Sequence, residues 1–390
     1  MFLQVNNVRN AASSILAPLA SRTSWVIDLA WTQVAHTIVP LDPFFPRGWG
    51  DLEAVNWNLD EQCFKRDPPQ LQISWEKVGE GTVSGIPYER LQGVFETPHE
   101  GRLMAVLPRE SRVGTVQLLR PKAAGADTAF VLHLAGTGDH GFARRMRIGL
   151  PLLEKNIATA ALESPYYGSR RPPGQKGSRL HHVADLLALG RTTIMEGLCL
   201  LQWARSQGYG KLGVTGLSMG GVHASMIGGF AKGDVAVSPH LAPRSAAVAF
   251  CEGALNRATA FEPLSRDEIR CEYVQEVARS LHRKLDPRRI PPSIDPVGVE
   301  RLAAVLEAYT DVTRYPRPKR TDCAIIVAAT DDAYVSKESV QEVQQHWPGS
   351  EVRWISGGHV LSFLLHNNSF RRAIADSLAY LDRLPSEGAA

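Results

Sequence analysis

The run from Lys211 to Ser225, KLGVTGLSMGGVHAS, decides how the remainder of this 390-residue chain is read. A short β-type stretch (211–215) enters it and a helix-compatible stretch (219–230) leaves it. Between them stands Gly216-Leu-Ser218-Met-Gly220, the Gly-x-Ser-x-Gly spacing of a nucleophile elbow. Such a turn is tight enough to strain the serine backbone. Glycine at 216 and 220 removes the Cβ atoms that would keep strand and helix apart. Ser218 Oγ is then expected at the carboxyl edge of a sheet, with the Met219 N–H aimed at a reacting carbonyl.

Outward from the elbow, strand and helix patterns alternate. Strands are expected near 128–134, 157–162, 211–215, 246–251, 323–329 and 351–355. Helices are expected near 142–155, 181–206, 219–230, 336–346 and 360–383. Short strands separated by helices specify parallel βαβ units. Ahead of them, alternating stretches at 71–78, 88–96, 102–107 and 115–119 read as an antiparallel meander. Between Gly253 and Pro318 the strand signals stop and charged helical pieces, broken by prolines, take over. The expected architecture is an α/β-hydrolase fold: a mostly parallel doubly wound sheet with an antiparallel N-terminal edge and a helical cap at about 253–318. Residues 1–65 read as an N-terminal helical extension, helical over 9–39 and again over 51–65, and 66–390 as the α/β domain.

An acyl-transfer serine needs a base, a carboxylate to orient the base, and two backbone donors for the oxyanion. After the apolar strand CAIIVAA comes Thr330-Asp331-Asp332-Ala-Tyr-Val335, and after EVRWI comes Ser356-Gly-Gly-His359. The order serine, acid, histidine is that of α/β-hydrolases. Asp332 stands three residues before Val335 and is favoured as the acid, with Asp331 the alternative beside it. Either could instead cap the helix starting near Ser336. The joint occurrence of elbow, acid loop and histidine loop, each after its own strand, favours catalysis by Ser218, Asp332 and His359. The loop Gly136-Thr137-Gly138-Asp139-His140-Gly141 follows an apolar strand, so Thr137 or Gly138 is expected to donate to the oxyanion with Met219. His133 and His140 flank that loop and read as structural or substrate-shaping.

The same loop also fits Gly136-x-Gly138-x-x-Gly141, with Glu163 ending the next strand where a dinucleotide fold holds a ribose. An NAD(P)-dependent oxidoreductase is therefore the rival reading, and a non-catalytic hydrolase-fold binding protein a third. Earlier strands precede the glycine motif, and the serine turn would have no task, which count against the first rival. Arg144, Arg145, Arg170 and Arg171 fall on loops expected at the same sheet edge. Three arginines (144, 145, 147) near a helix start oppose its dipole by ~0.3–1 kcal/mol each, so an anion-binding role is expected of the cluster. Further cations stand in the cap at Arg279, Arg283, Lys284, Arg288 and Arg289. Together they suggest an anionic substrate or the surface of an anionic membrane.

Net charge of +3 and 44% hydrophobic residues mark neither a nucleic-acid binder nor a disordered chain. The five cysteines show no metal-ligand or disulfide-framework spacing, and no run of apolar residues reaches the length of a membrane span. No metal and no organic cofactor is implied. The first forty residues carry Arg9 and Arg22, several Ser and Thr, and no acid before Asp28. That composition is compatible with a mitochondrial-type transit segment, a helix packed on the domain is the favoured alternative, and an intracellular setting is expected.

GTGDHGFARR (136–145), ESPYYGSRRP (163–172), GLSMGG (216–221) and the late GGH (357–359) together resemble the alpha/beta hydrolase domain-containing protein 18 family. The resemblance runs from about the Gly-Trp-Gly at 48–50 to near residue 380. It implies the α/β-hydrolase fold, a serine nucleophile at Ser218, a histidine base at His359 and the acid at Asp332. It also suggests a lipid or phospholipid acyl ester as substrate.

Overall fold

In the computed structural model, residues 23–30, 42–56, 64, 67–280, 285 and 289–384 are described. Within them the chain forms a nine-stranded sheet of order β1-β2-β3-β5-β4-β6-β7-β8-β9. The strands are β1 (Ser74–Val83), β2 (Ile86–Glu96), β3 (Val113–Pro121), β4 (Ala129–Leu134), β5 (Ile157–Leu162), β6 (Lys211–Leu217), β7 (Ala236–His240), β8 (Ile325–Ala329) and β9 (Glu351–Ile355). β1, β2, β3 and β5 pair antiparallel, and from β5 to β9 every neighbour is parallel. β4, β5, β7 and β8 are buried at every position, the pattern of strands covered on both faces. The helix Val183–Ser206 supplies one covering layer; it starts with a capping box between His182 and Asp185. The helix Asn367–Tyr380 covers the opposite face through Phe370, Ala373, Ile374 and Leu378.

The expected doubly wound sheet with its antiparallel edge is present, and three local expectations differ. Residues 102–106 form a short helix instead of a strand, because Leu103 and Leu107, spaced four apart, are both buried on one side. The apolar stretch expected as a strand at 246–251 is a helical turn (Val248–Glu252), and the strand lies earlier, at Ala236–His240. Pro239 hides that strand from a sequence reading, since it cannot donate to a ladder. Pairing of β7 to β8 is correspondingly sparse, at His240↔Val327 with a bridge at Val237↔Ala324. The third difference lies after β9, where one expected helix is two: His359–Leu365 and Asn367–Tyr380.

Between β7 and β8 the described residues hold only helical elements, chiefly Glu262–Arg266, Glu272–Ser280 and Pro296–Thr310. Arg244, just after β7, binds this region to the sheet. Its buried guanidinium pairs with Asp311 and with Glu307 at 2.7 Å. Ahead of the sheet, Phe44 and Phe45 are buried against Phe250, and Phe44 bridges to Thr259. Of the helix expected over 9–39, residues 23–30 are helical and the remainder lies outside the described residues. Residues 51–56 form turns, and most of the expected helix beyond them lies outside as well.

Candidate active site

Ser218 is the residue between β6 and the helix Met219–Phe230, and its backbone has φ 55° and ψ −118°. Few non-glycine residues occupy that region, so the strain inferred for an elbow is found at the serine itself. The flanking glycines explain how the turn closes. A Cβ on Gly216 would sit 2.2 Å from the Gly220 carbonyl oxygen, and one on Gly220 would sit 2.5 Å from the Leu134 carbonyl oxygen. The Ser218 N–H donates to the His240 carbonyl at 2.8 Å, which ties the elbow to the end of β7.

The other two candidates meet across loops that follow β8 and β9. Asp332 Oδ2 and His359 Nδ1 are 2.7 Å apart. Asp332 Oδ1 accepts from the Tyr334 and Val335 amides at 2.8 and 2.9 Å, which is why an aspartate three residues before Val335 is held in place. Asp331 turns elsewhere and accepts from the Thr330 hydroxyl at 2.8 Å. Burial alone would lower the His359 pKa. The charge and hydrogen bond of Asp332, with the charge of Asp28, outweigh it and leave His359 above the ordinary histidine value. The Tyr334 ring stacks on the imidazole with centroids 4.6 Å apart.

Ser218 and His359 border one cavity of about 330 Å³, with Thr137, Gly138, Arg144 and Arg179 on its other sides. No hydrogen bond joins Ser218 Oγ to His359 among the described residues; both side chains instead face this shared space. From Ser218 and Met219 a narrower apolar slot of about 40 Å³ continues between Leu186, Ile194, Met226 and Phe250. A strained serine at a sheet edge, a carboxylate-bound imidazole and an apolar slot are suited to covalent chemistry on an acyl group.

The family model described as alpha/beta hydrolase domain containing 18 matches residues 42–380. The chain belongs to that family. Among solved structures, an acetyl xylan esterase from Paenibacillus sp. R4 is 13% identical, with a TM-score of 0.48 over 86% of this chain and 96% of that one. Acetyl xylan esterase 1 from Thermoanaerobacterium sp. JW/SL YS485 is 15% identical, with a TM-score of 0.44 over 84% and 96%. Est1E from Butyrivibrio proteoclasticus, with bound ferulic acid, is 17% identical, with a TM-score of 0.42 over 68% and 96%. These are likenesses of fold only.

The Gly136–Gly141 loop, expected to hold an oxyanion donor, borders the cavity through Gly136, Thr137 and Gly138. Gly138 and the Thr137 side chain hydrogen-bond the buried Tyr167 hydroxyl, and the Thr137 hydroxyl also lies 3.8 Å from Met219 Sδ. Thr137 and Gly138 both border the cavity beside Ser218. Glu163 is not free to hold a ribose. Its buried carboxylate accepts from the Gly141 N–H at 3.0 Å, from the Thr115 hydroxyl at 3.0 Å and from Ser169. That removes the acidic partner on which the dinucleotide reading depended.

The four arginines expected at an anion site separate. Arg144 borders the cavity and lies over the Phe363 ring at 3.5 Å. Arg145 does not reach it: it is buried, pairs with Asp139 at 3.1 Å and donates to the Leu162 and Gly141 carbonyls. Arg170 is likewise taken, by Glu196 at 2.6 and 2.8 Å and by the Ser111 and Glu163 carbonyls. The expectation of anion binding fails for these two, because each is consumed neutralising buried acceptors. Arg171 is exposed and does not border the cavity. In the cap, Arg279 and Arg289 are exposed, while Arg283, Lys284 and Arg288 lie outside the described residues.

Of the loop histidines, His133 is buried and held down to about 3 by burial, with the charges of His240 and Arg145 adding to it. His140 accepts the Gly168 N–H at 3.0 Å. Neither borders the cavity that Ser218 and His359 share. Three residues at the site were not singled out from sequence: Arg179, Tyr334 and Asp28. Arg179 lies over the Phe44 ring at 4.4 Å and borders the cavity. Its position shortly after ESPYYG carries no mark that distinguishes it from the neighbouring arginines. No group of three or more possible metal ligands occurs among the described residues.

Proposed function

We propose that this protein is a serine hydrolase that cleaves a carboxylic ester through an acyl-enzyme. The observation that carries the reading is the 2.7 Å Asp332–His359 hydrogen bond, with the imidazole and the strained elbow serine on one cavity. His359 Nε2 takes the Ser218 proton as Oγ attacks the ester carbonyl. Asp332 holds the imidazole through Nδ1 and stabilises the imidazolium that forms. The Met219 and Thr137 N–H groups receive the oxyanion, each donor of this kind supplying about 3 kcal/mol of transition-state stabilisation. The alcohol leaves with the proton from His359, and water, deprotonated by the same imidazole, releases the acid.

The substrate class that fits is a lipid or phospholipid acyl ester. The apolar slot behind Ser218 suits the acyl chain, and Arg144 and Arg179 offer positive charge to an anionic part of the substrate. Leu364, which borders the cavity, and Leu365 next to it are 53% and 73% exposed, which favours peripheral contact with an anionic lipid surface. The test is hydrolysis of p-nitrophenyl esters of increasing acyl length by the purified chain and by Ser218→Ala. Turnover that vanishes in a folded Ser218→Ala protein supports the reading. Turnover unchanged by that substitution, or none with any ester, would count against it.

A further inference from the structure

The helical stretch 23–30 reaches the candidate site through one side chain. Asp28 is fully buried. Its Oδ2 accepts from the amides of His359 at 2.7 Å and Ala333 at 3.1 Å, and its Oδ1 from the amide of Val360 at 2.9 Å. Ala333 is the residue after Asp332, so a single carboxylate is bonded to the two backbone segments whose side chains make the Asp332–His359 hydrogen bond. The helix His359–Leu365 has no N-cap side chain of its own, and Asp28 takes that place from 331 positions away.

Two further features are built around this contact. A Cβ on Gly358 would meet Asp28 Oδ2 at 2.6 Å, so glycine before the histidine is what lets the carboxylate approach. The Tyr334 hydroxyl donates to the Asp28 carbonyl at 3.4 Å while its ring stacks on His359. The chemistry also selects a carboxylate. These three amides are N–H donors, which an ionised acid satisfies as an acceptor only; an asparagine would turn its own NH₂ toward at least one of them. A buried carboxylate with no such donors would cost far more than it contributes.

We propose that Asp28 is a positioning residue for the Ser218 centre: it holds the acid loop and the histidine loop in one fixed relation, and the helix carrying it is part of the working site. This rests on the Ser218–His359–Asp332 reading above. Asp28 acts through His359 and touches no substrate. It also adds negative charge beside the imidazole. Among the described residues, the charged and titratable groups facing His359 are Asp332, Asp28 and Tyr334, with Arg144 and Arg179 on the same cavity. Removing the Asp28 charge therefore lowers the His359 pKa.

The experiment compares the full chain with Asp28→Asn and Asp28→Glu. It measures the pH profile for a p-nitrophenyl ester, the His359 titration by NMR of histidine-labelled protein, and folding by near-ultraviolet circular dichroism. A folded Asp28→Asn is expected to lose about 10–100-fold in kcat with little change in KM, the range set by a misplacement of about 1 Å. Its acid limb and its His359 titration both move to lower pH. Asp28→Glu, which keeps the charge but displaces it, loses kcat and keeps the acid limb; it serves alone where Asp28→Asn does not fold. A folded Asp28→Asn with wild-type kcat and an unmoved His359 titration overturns the proposal, as does a loss that only matches the fraction unfolded. A wild-type chain that hydrolyses no ester would remove the hydrolase reading by itself, and the His359 titration would still decide for or against the Asp28 tether.

Discussion

Ser218 carries the most informative backbone in the molecule. Its positive φ is a local strain, of order 1–3 kcal/mol, maintained by the packing of glycines 216 and 220. Ser218→Gly relieves that strain at the loss of ~0.4–1 kcal/mol in unfolded-state entropy, so a net gain of about 1 kcal/mol is expected. Denaturant melts should show a more stable and inactive protein; a destabilised Ser218→Gly would mean that the turn is not strained. His359 gives a second expectation at this scale. As a base it must be neutral, and Asp332 with Asp28 raises its pKa above the ordinary value of about 6.5 despite burial. Activity should thus fall as pH drops through a value above the ordinary histidine one, and an acid limb in kcat/KM below that ordinary value would contradict the geometry.

At the scale of elements, the site is assembled by loops at the carboxyl ends of β4, β6, β8 and β9, each strand held by parallel neighbours. Arg244 joins that frame to the helix Pro296–Thr310 through Glu307 and Asp311, all three of them buried. Arg244→Ala leaves the two buried carboxylates, and the more exposed Glu342 at 2.8 Å, without their cation and should lower stability by about 3–5 kcal/mol in urea melts. A loss under about 1 kcal/mol would show that water or another cation replaces it. The elements themselves were largely legible in the sequence, because β6, the elbow and the following helix each announce themselves within a few residues. β7 was not, since Pro239 breaks its pattern while the apolar stretch after it suits helix or strand alike. The arginines show the same limit. Sequence places 144 and 145 side by side, but only the helix rotation decides that one borders the cavity and the other turns to Asp139.

Across the whole molecule, residues distant in sequence converge on one cavity, and Asp332 and His359 were readable because each follows its own strand. Asp28 left no such mark: its partners are backbone amides, which every residue but proline has. The exposed Leu364, at the cavity, and its neighbour Leu365 give a prediction at this scale. Leu364→Asp with Leu365→Asp should weaken hydrolysis of esters in anionic vesicles several-fold while sparing a soluble p-nitrophenyl ester. Equal losses on both substrates would place these residues in the chemistry instead of at a surface. The central claim is that Ser218, His359 and Asp332 act as one unit. Its most direct test is fluorophosphonate labelling followed by mass mapping of the adduct in wild type, His359→Ala, Asp332→Asn and Asp331→Asn. The account predicts an adduct on Ser218 that forms roughly 10³–10⁴-fold more slowly without His359 or with Asp332→Asn, and at near wild-type rate with Asp331→Asn. An adduct elsewhere, or one on Ser218 indifferent to His359, would contradict it.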